Sequence, residues 1–128
     1  MGDPTQSNVI LVIDDDVEWT DLLRIFFSEK YDVRIANHAD DAIDTIQRDR
    51  PKLIVLDLVM PSVDGFGFMR RLNEMSIAAT PTVLLTGWDS VEIRECATAV
   101  GCAAVLSKPV SLEKLDEVIS AIILREVI

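Results

Sequence analysis

Val9-Ile10-Leu11-Val12-Ile13 runs directly into Asp14-Asp15-Asp16. Five aliphatic residues, mostly β-branched, are too few for a helix and read as a strand buried on both faces. The three carboxylates that follow end the strand. Just beyond, Trp19, Leu22, Leu23, Phe26 and Phe27 fall at i, i+3, i+4, i+7 and i+8, one apolar face of a helix. Asp16, between the two, is placed to cap that helix.

The same alternation continues along the chain. Leu53–Leu56, Val83–Leu85 and Ala103–Leu106 are further short apolar runs that read as strands buried on both faces. Asp32-Val33-Arg34-Ile35-Ala36 alternates polar and apolar, which predicts a strand near an edge. Helical stripes separate them: Ala39, Ala42, Ile43 and Ile46; Phe68, Met69, Leu72 and Met75; Ile93, Cys96, Ala97 and Val100; Leu112, Leu115, Val118, Ile119 and Ile122. Asp89 and Glu92 are spaced as a capping pair for the fourth helix. Pro51, Pro61, Pro81 and Pro109 all fall outside the stripes. Strand and helix alternate five times, which predicts an α/β fold: a doubly wound, open parallel sheet with right-handed crossovers and helices on both faces. Residues 1–7 are polar, contain Pro4, and are expected to fray.

Composition narrows the function. The 128 residues are 49% hydrophobic and 27% charged, as in a globular domain that needs no staple to fold. Twelve basic against 22 acidic residues give a net charge of −10, which argues against binding a nucleic-acid backbone. No apolar run is long enough to span a bilayer and no signal peptide is evident, so a cytoplasmic protein without membrane contact is expected. Cys96 and Cys102 match no metal-ligand spacing and read as free, buried thiols, and the single His38 reads as a surface residue.

In such a fold, ligands bind outside the carboxyl ends of the strands. The first strand ends in Asp14-Asp15-Asp16, the third in Asp57, the fourth in Thr86-Gly87 and the fifth in Ser107-Lys108-Pro109. The second ends in Ala36-Asn37, which is chemically quiet. Clustered carboxylates repel unless a cation neutralises them, and all-oxygen ligands suit Mg²⁺. A carboxylate beside Mg²⁺ can attack phosphorus, a hydroxyl can hydrogen-bond the transferred group, and an ammonium can pair with its charge. Each residue has an ordinary reading as a cap, turn or solvated charge; their joint position at neighbouring strand ends favours phosphoryl transfer onto a carboxylate.

These segments (Ile10–Asp16, Leu56-Asp57-Leu58-Val59-Met60-Pro61 with Asp64-Gly65, Leu84-Leu85-Thr86-Gly87, Ser107-Lys108-Pro109) resemble the receiver domains of two-component response regulators. The resemblance implies a flavodoxin-like (βα)5 sheet of strand order 2-1-3-4-5, with residues 8–126 as the receiver domain. It implies Asp57 as phosphoacceptor and Mg²⁺ held by Asp14, Asp15, Asp57 and the backbone carbonyl of Val59. Thr86 would turn toward the phosphoryl group, Lys108 would bind one of its oxygens, and Lys108–Pro109 would be cis. The donor would be a phosphohistidine on a sensor histidine kinase or a histidine phosphotransfer domain. The output partner is unspecified, with a dimer through the fourth helix, fifth strand and fifth helix as one option. Such a chain is no turnover enzyme; it catalyses its own phosphorylation and slow dephosphorylation.

One position departs from the family pattern. Three residues before Lys108 stands Val105, where receivers usually carry Tyr, Phe or His. A valine cannot swing from exposed to buried as the aromatic does, so only a modest change is expected on the face of the fourth helix, fifth strand and fifth helix. Val59 and Trp88 occupy the positions that border the attacking water in receivers, and neither can act as a base. Slow loss of the phosphoryl group is expected, with Trp88 either covering the site or pointing into solvent.

Two rival readings share part of this pattern. A haloacid-dehalogenase-type phosphatase would use Asp14 and Asp16 as nucleophile and acid–base pair. It is opposed by Glu18, by the helical placement of Glu113, Asp116 and Glu117, and by the short chain. A flavin-binding module needs a phosphate-cradling loop after the first strand, and Asp14-Asp15-Asp16-Val17-Glu18 would repel the phosphate.

Overall fold

A computed structural model describes residues 8–60, 63–75 and 80–127; the expected N-terminal tail lies outside the described residues. The elements are β1 (Val9–Ile13), α1 (Val17–Phe27), β2 (Asp32–Ala36), α2 (Ala39–Asp49), β3 (Leu53–Asp57), β4 (Val59–Met60), β5 (Val63–Asp64), α3 (Gly65–Glu74), β6 (Thr82–Thr86), α4 (Val91–Ala99), β7 (Ala104–Ser107) and α5 (Leu112–Val127). Five strands pair in the order β2-β1-β3-β6-β7, all parallel. This is order 2-1-3-4-5 among the strands of the main sheet. The antiparallel pair β4–β5 is an addition to the five-strand pattern expected from the sequence.

The alternation of side chains along each strand divides the core in two. Leu11, Ile13, Ile54, Leu56 and Leu84 face α2, α3 and α4, meeting Ile43, Ile46, Phe68, Leu72 and Ala97. Ile10, Val12, Val55, Val83 and Leu85 face α1 and α5, meeting Leu23, Phe27, Leu115 and Ile119. The central strands β1, β3 and β6 are buried throughout, which explains their unbroken apolar runs.

Several sequence-based expectations need correction. The last strand is only half buried, because β7 is an edge strand with a single sheet neighbour. On α1, Leu23 and Phe27 are buried while Leu22 and Phe26 remain exposed. The inward face is narrower than the apolar stripe. Cys96 is exposed and Cys102 partly buried, so the thiols are free but not both interior. Partial burial pushes the Cys102 thiol up to about 11. Ser90, not Asp89, caps α4, its hydroxyl accepting from the Ile93 N–H. At Gly65 a Cβ would lie 2.9 Å from both the Cα and the carbonyl oxygen of Leu58. Glycine is what lets α3 begin directly against the segment following β3.

Candidate functional site

Parallel register brings the strand ends abreast. Ile13 pairs with Leu56, so Asp14 and Asp57, the next residue on each strand, emerge side by side. Thr86 pairs with Ser107, which sets Lys108 just past the end of β7. One carboxylate oxygen from each of Asp14, Asp15 and Asp57 lies within 4.8 Å of the others. Asp14 and Asp57 are 2% and 7% exposed, and Asp15 faces solvent. The Lys108 Nζ sits 3.3 Å from Asp14 Oδ2 and 3.4 Å from Asp57 Oδ2. The Lys108–Pro109 bond is cis, as expected. Three clustered carboxylates, two of them in contact with one ammonium, leave two net negative charges, which a divalent cation matches.

The surrounding backbone holds these groups in place. The Asp16 N–H donates to Asp14 Oδ1 at 3.0 Å, fixing the buried carboxylate. Asn37 Nδ2 donates to the Asp14 carbonyl at 2.7 Å, and the Asp14 N–H donates to Ala36. Asn37, chemically quiet by its position in the sequence, anchors the acidic turn. Its signal is a single side chain-to-backbone bond, which spacing cannot reveal. The Lys108 N–H donates to the Thr86 carbonyl at 2.7 Å, tying the ends of β6 and β7 together.

The Thr86 side chain is buried, and its hydroxyl accepts from the Trp88 N–H at 3.0 Å. The Trp88 side chain is 79% exposed, so of its two orientations the solvent one is found and the indole does not cover the site. Val59 lies in β4, two residues past Asp57; its side chain lies outside the described residues. Val105 is partly buried against the α2–α3–α4 side of the core.

Asp16 stands outside the carboxylate group. It caps α1 as expected, with Oδ1 accepting from the Trp19 N–H at 3.2 Å. This leaves the phosphatase reading through Asp14 and Asp16 without support. His38 is exposed at the start of α2, as expected. Next to the site, Asp89 accepts from Ser107 Oγ at 2.7 Å and from Arg94 Nη2 and Nε at 2.6 and 2.9 Å. The Arg94 hydrogen bonds, then that of Ser107, hold the Asp89 carboxyl below its usual range. Among the described residues, no helix is long and apolar enough to cross a membrane.

Comparison with known proteins agrees with this arrangement. The response regulator receiver domain model matches residues 10–120. Response regulator MprA of Mycobacterium leprae is 37% identical over 117 residues, covering 91% of this chain and 51% of that protein. Transcriptional regulatory protein TrcR of Mycobacterium tuberculosis is 36% identical over 107 residues, covering 83% of this chain and 41% of that protein. The chain thus spans about half or less of these curated relatives. Among solved structures, the receiver domain of Francisella response regulator 1452 superposes with a TM-score of 0.85 at 27% identity, covering 94% of this chain and 99% of that one. Vibrio cholerae chemotaxis protein CheY4 gives 0.83 at 26%, covering 91% and 98%. With fold, strand-end residues and relatives in agreement, the chain belongs to the response regulator receiver domain family of two-component systems.

Proposed function

We propose that Asp57 is the phosphoacceptor of this receiver, taking a phosphoryl group from a phosphohistidine on a sensor histidine kinase or histidine phosphotransfer domain. The observation that carries the reading is the trio Asp14, Asp15 and Asp57, with the Lys108 ammonium against Asp14 and Asp57. Asp14, Asp15, Asp57 and the Val59 carbonyl would hold Mg²⁺, which when bound offsets the charge of the carboxylates and of the incoming phosphoryl oxygens. An Asp57 carboxylate oxygen attacks phosphorus, and the bond from phosphorus to the donor nitrogen breaks. Lys108, already beside Asp57, pairs with a phosphoryl oxygen. Thr86 releases the Trp88 N–H and turns its hydroxyl toward another. The chain thereby promotes its own phosphorylation and slow hydrolysis, without turnover of an external substrate. Residues 8–126 form the receiver unit, the setting is cytoplasmic, and output passes to a partner or a second copy through α4, β7 and α5.

The test is phosphoryl uptake from acetyl phosphate with Mg²⁺, read by intact mass. One phosphoryl group is expected on the parent chain and none on Asp57→Asn. Full labelling of that variant, or equal labelling after the metal is chelated, would refute the assignment.

A further inference from the structure

The third aspartate of the acidic turn is not used by the reading above, and it borders a cleft. Asp16, Trp19, Lys108, Pro109 and Val110 line a space of about 330 Å³ between the start of α1 and the segment after β7. Lys108 belongs to both places: its Nζ is 3.4 Å from Asp57 Oδ2, and the residue also lines the cleft. A group attached to phosphorus beside Asp57 therefore has this cleft next to it. Trp19, Pro109 and Val110 supply apolar walls suited to a flat ring. The two charged residues that line it differ in how far they are committed. Lys108 is paired with Asp14 and Asp57, whereas Asp16 gives one oxygen to a helix-capping N–H.

We propose that this cleft receives the departing group of the phosphodonor, and that Asp16 makes it selective for a protonated imidazole over an anionic acyl group. The proposal rests on Asp57 as acceptor. A phosphoimidazole reacts best when its second ring nitrogen carries a proton. As the phosphorus–oxygen bond to Asp57 forms, the phosphorus–nitrogen bond breaks and its electron pair stays on the departing nitrogen. The other nitrogen keeps its proton, so the ring leaves as neutral imidazole. A carboxylate beside that ring favours the protonated form and its approach. An acyl phosphate instead releases a carboxylate anion, which Asp16 repels. One lining residue thus acts with opposite sign on the two donor classes.

The experiment compares monophosphoimidazole and acetyl phosphate as donors to the whole chain at saturating Mg²⁺. The readout is the ratio of their second-order rate constants. Asp16→Asn keeps the helix cap, since Asn caps as well as Asp. It should lower the phosphoimidazole-to-acetyl-phosphate ratio about fivefold, the factor exerted by a unit charge at roughly 4 Å in water. Glu18→Gln, which removes an exposed charge on α1 that does not line the cleft, should leave the ratio in place. An unchanged or increased ratio in Asp16→Asn overturns the proposal, as does an equal fall in Glu18→Gln, which would indicate a diffuse field. Asp57→Asn separates the two levels of inference. Its labelling by either donor would refute the acceptor reading, whereas a ratio insensitive to Asp16 with an inert Asp57→Asn would refute the cleft alone.

Discussion

Asp15 is the solvent-facing member of a group whose other two carboxylates are buried, and Lys108 approaches only those two. Without metal, Asp15 therefore adds repulsion that Lys108 does not offset. Asp15→Asn should raise the stability of the chelator-treated chain by about 1 kcal/mol, the scale of a unit charge pair near 4 Å in water. It should also abolish most of the stabilisation gained on adding Mg²⁺, since a ligand stabilises only the state that binds it. Urea denaturation of both chains with and without Mg²⁺ checks this; an equal Mg²⁺ response would contradict it. At this scale, Asp14, Asp57, Thr86 and Lys108 were legible because each follows an apolar strand run. Asn37 was not legible, since its function is one bond to the Asp14 carbonyl. The orientation of Trp88 was equally closed to reading, because the direction of a loop side chain leaves no periodic trace.

The loop from β6 to α4 is tied to the end of β7 by Asp89, which holds both Arg94 and Ser107. The sequence spacing favoured Asp89 as a capping partner, yet Ser90 takes the cap and frees Asp89 to bridge two elements. Capping potential is shared by Ser and Asp, and only the path of the loop decides between neighbours. The bridge makes a pH-dependent contribution to stability. The folded-state pKa of Asp89 is depressed, so its contribution is present above the unfolded carboxylate pKa and is lost as pH falls through the lower, folded value. Asp89→Asn should be less stable than the parent at neutral pH, and the gap should close in acid. A gap that stays constant across the acid limb would exclude the ion pair as its source. The half-buried β7 is a second misreading at the element scale. A short apolar run does not distinguish an edge strand covered by helices from a central one.

At the scale of the molecule, strict strand–helix alternation made the sheet, its two-sided core and the location of the site readable in advance. All chemistry-bearing residues sit at one sheet edge because parallel strands end together. The antiparallel pair β4–β5 leaves no trace in the sequence, because two-residue strands carry no pattern. Val105 is partly buried against the α2–α3–α4 side of the core, and a valine lacks the reach of the aromatic that receivers usually carry there. With a phosphoryl mimic, backbone amide shifts should therefore be largest from Thr86 through Val91 and small along β7. Shifts centred on Val105 would show that β7 carries the signal after all. The exposed Trp88 side chain has an optical consequence. The chain contains two tryptophans, and Trp19 is partly buried while Trp88 stands in water with its amide on Thr86. Fluorescence should thus contain a long-wavelength component from Trp88, whose backbone N–H donates to Thr86, the residue proposed to turn toward the phosphoryl group. The surface charge of −10 gathers cations and excludes anions, so caesium should quench this red component more strongly than iodide at equal ionic strength. Equal quenching by the two ions would mean that the local field beside α4 does not follow the charge of the whole molecule.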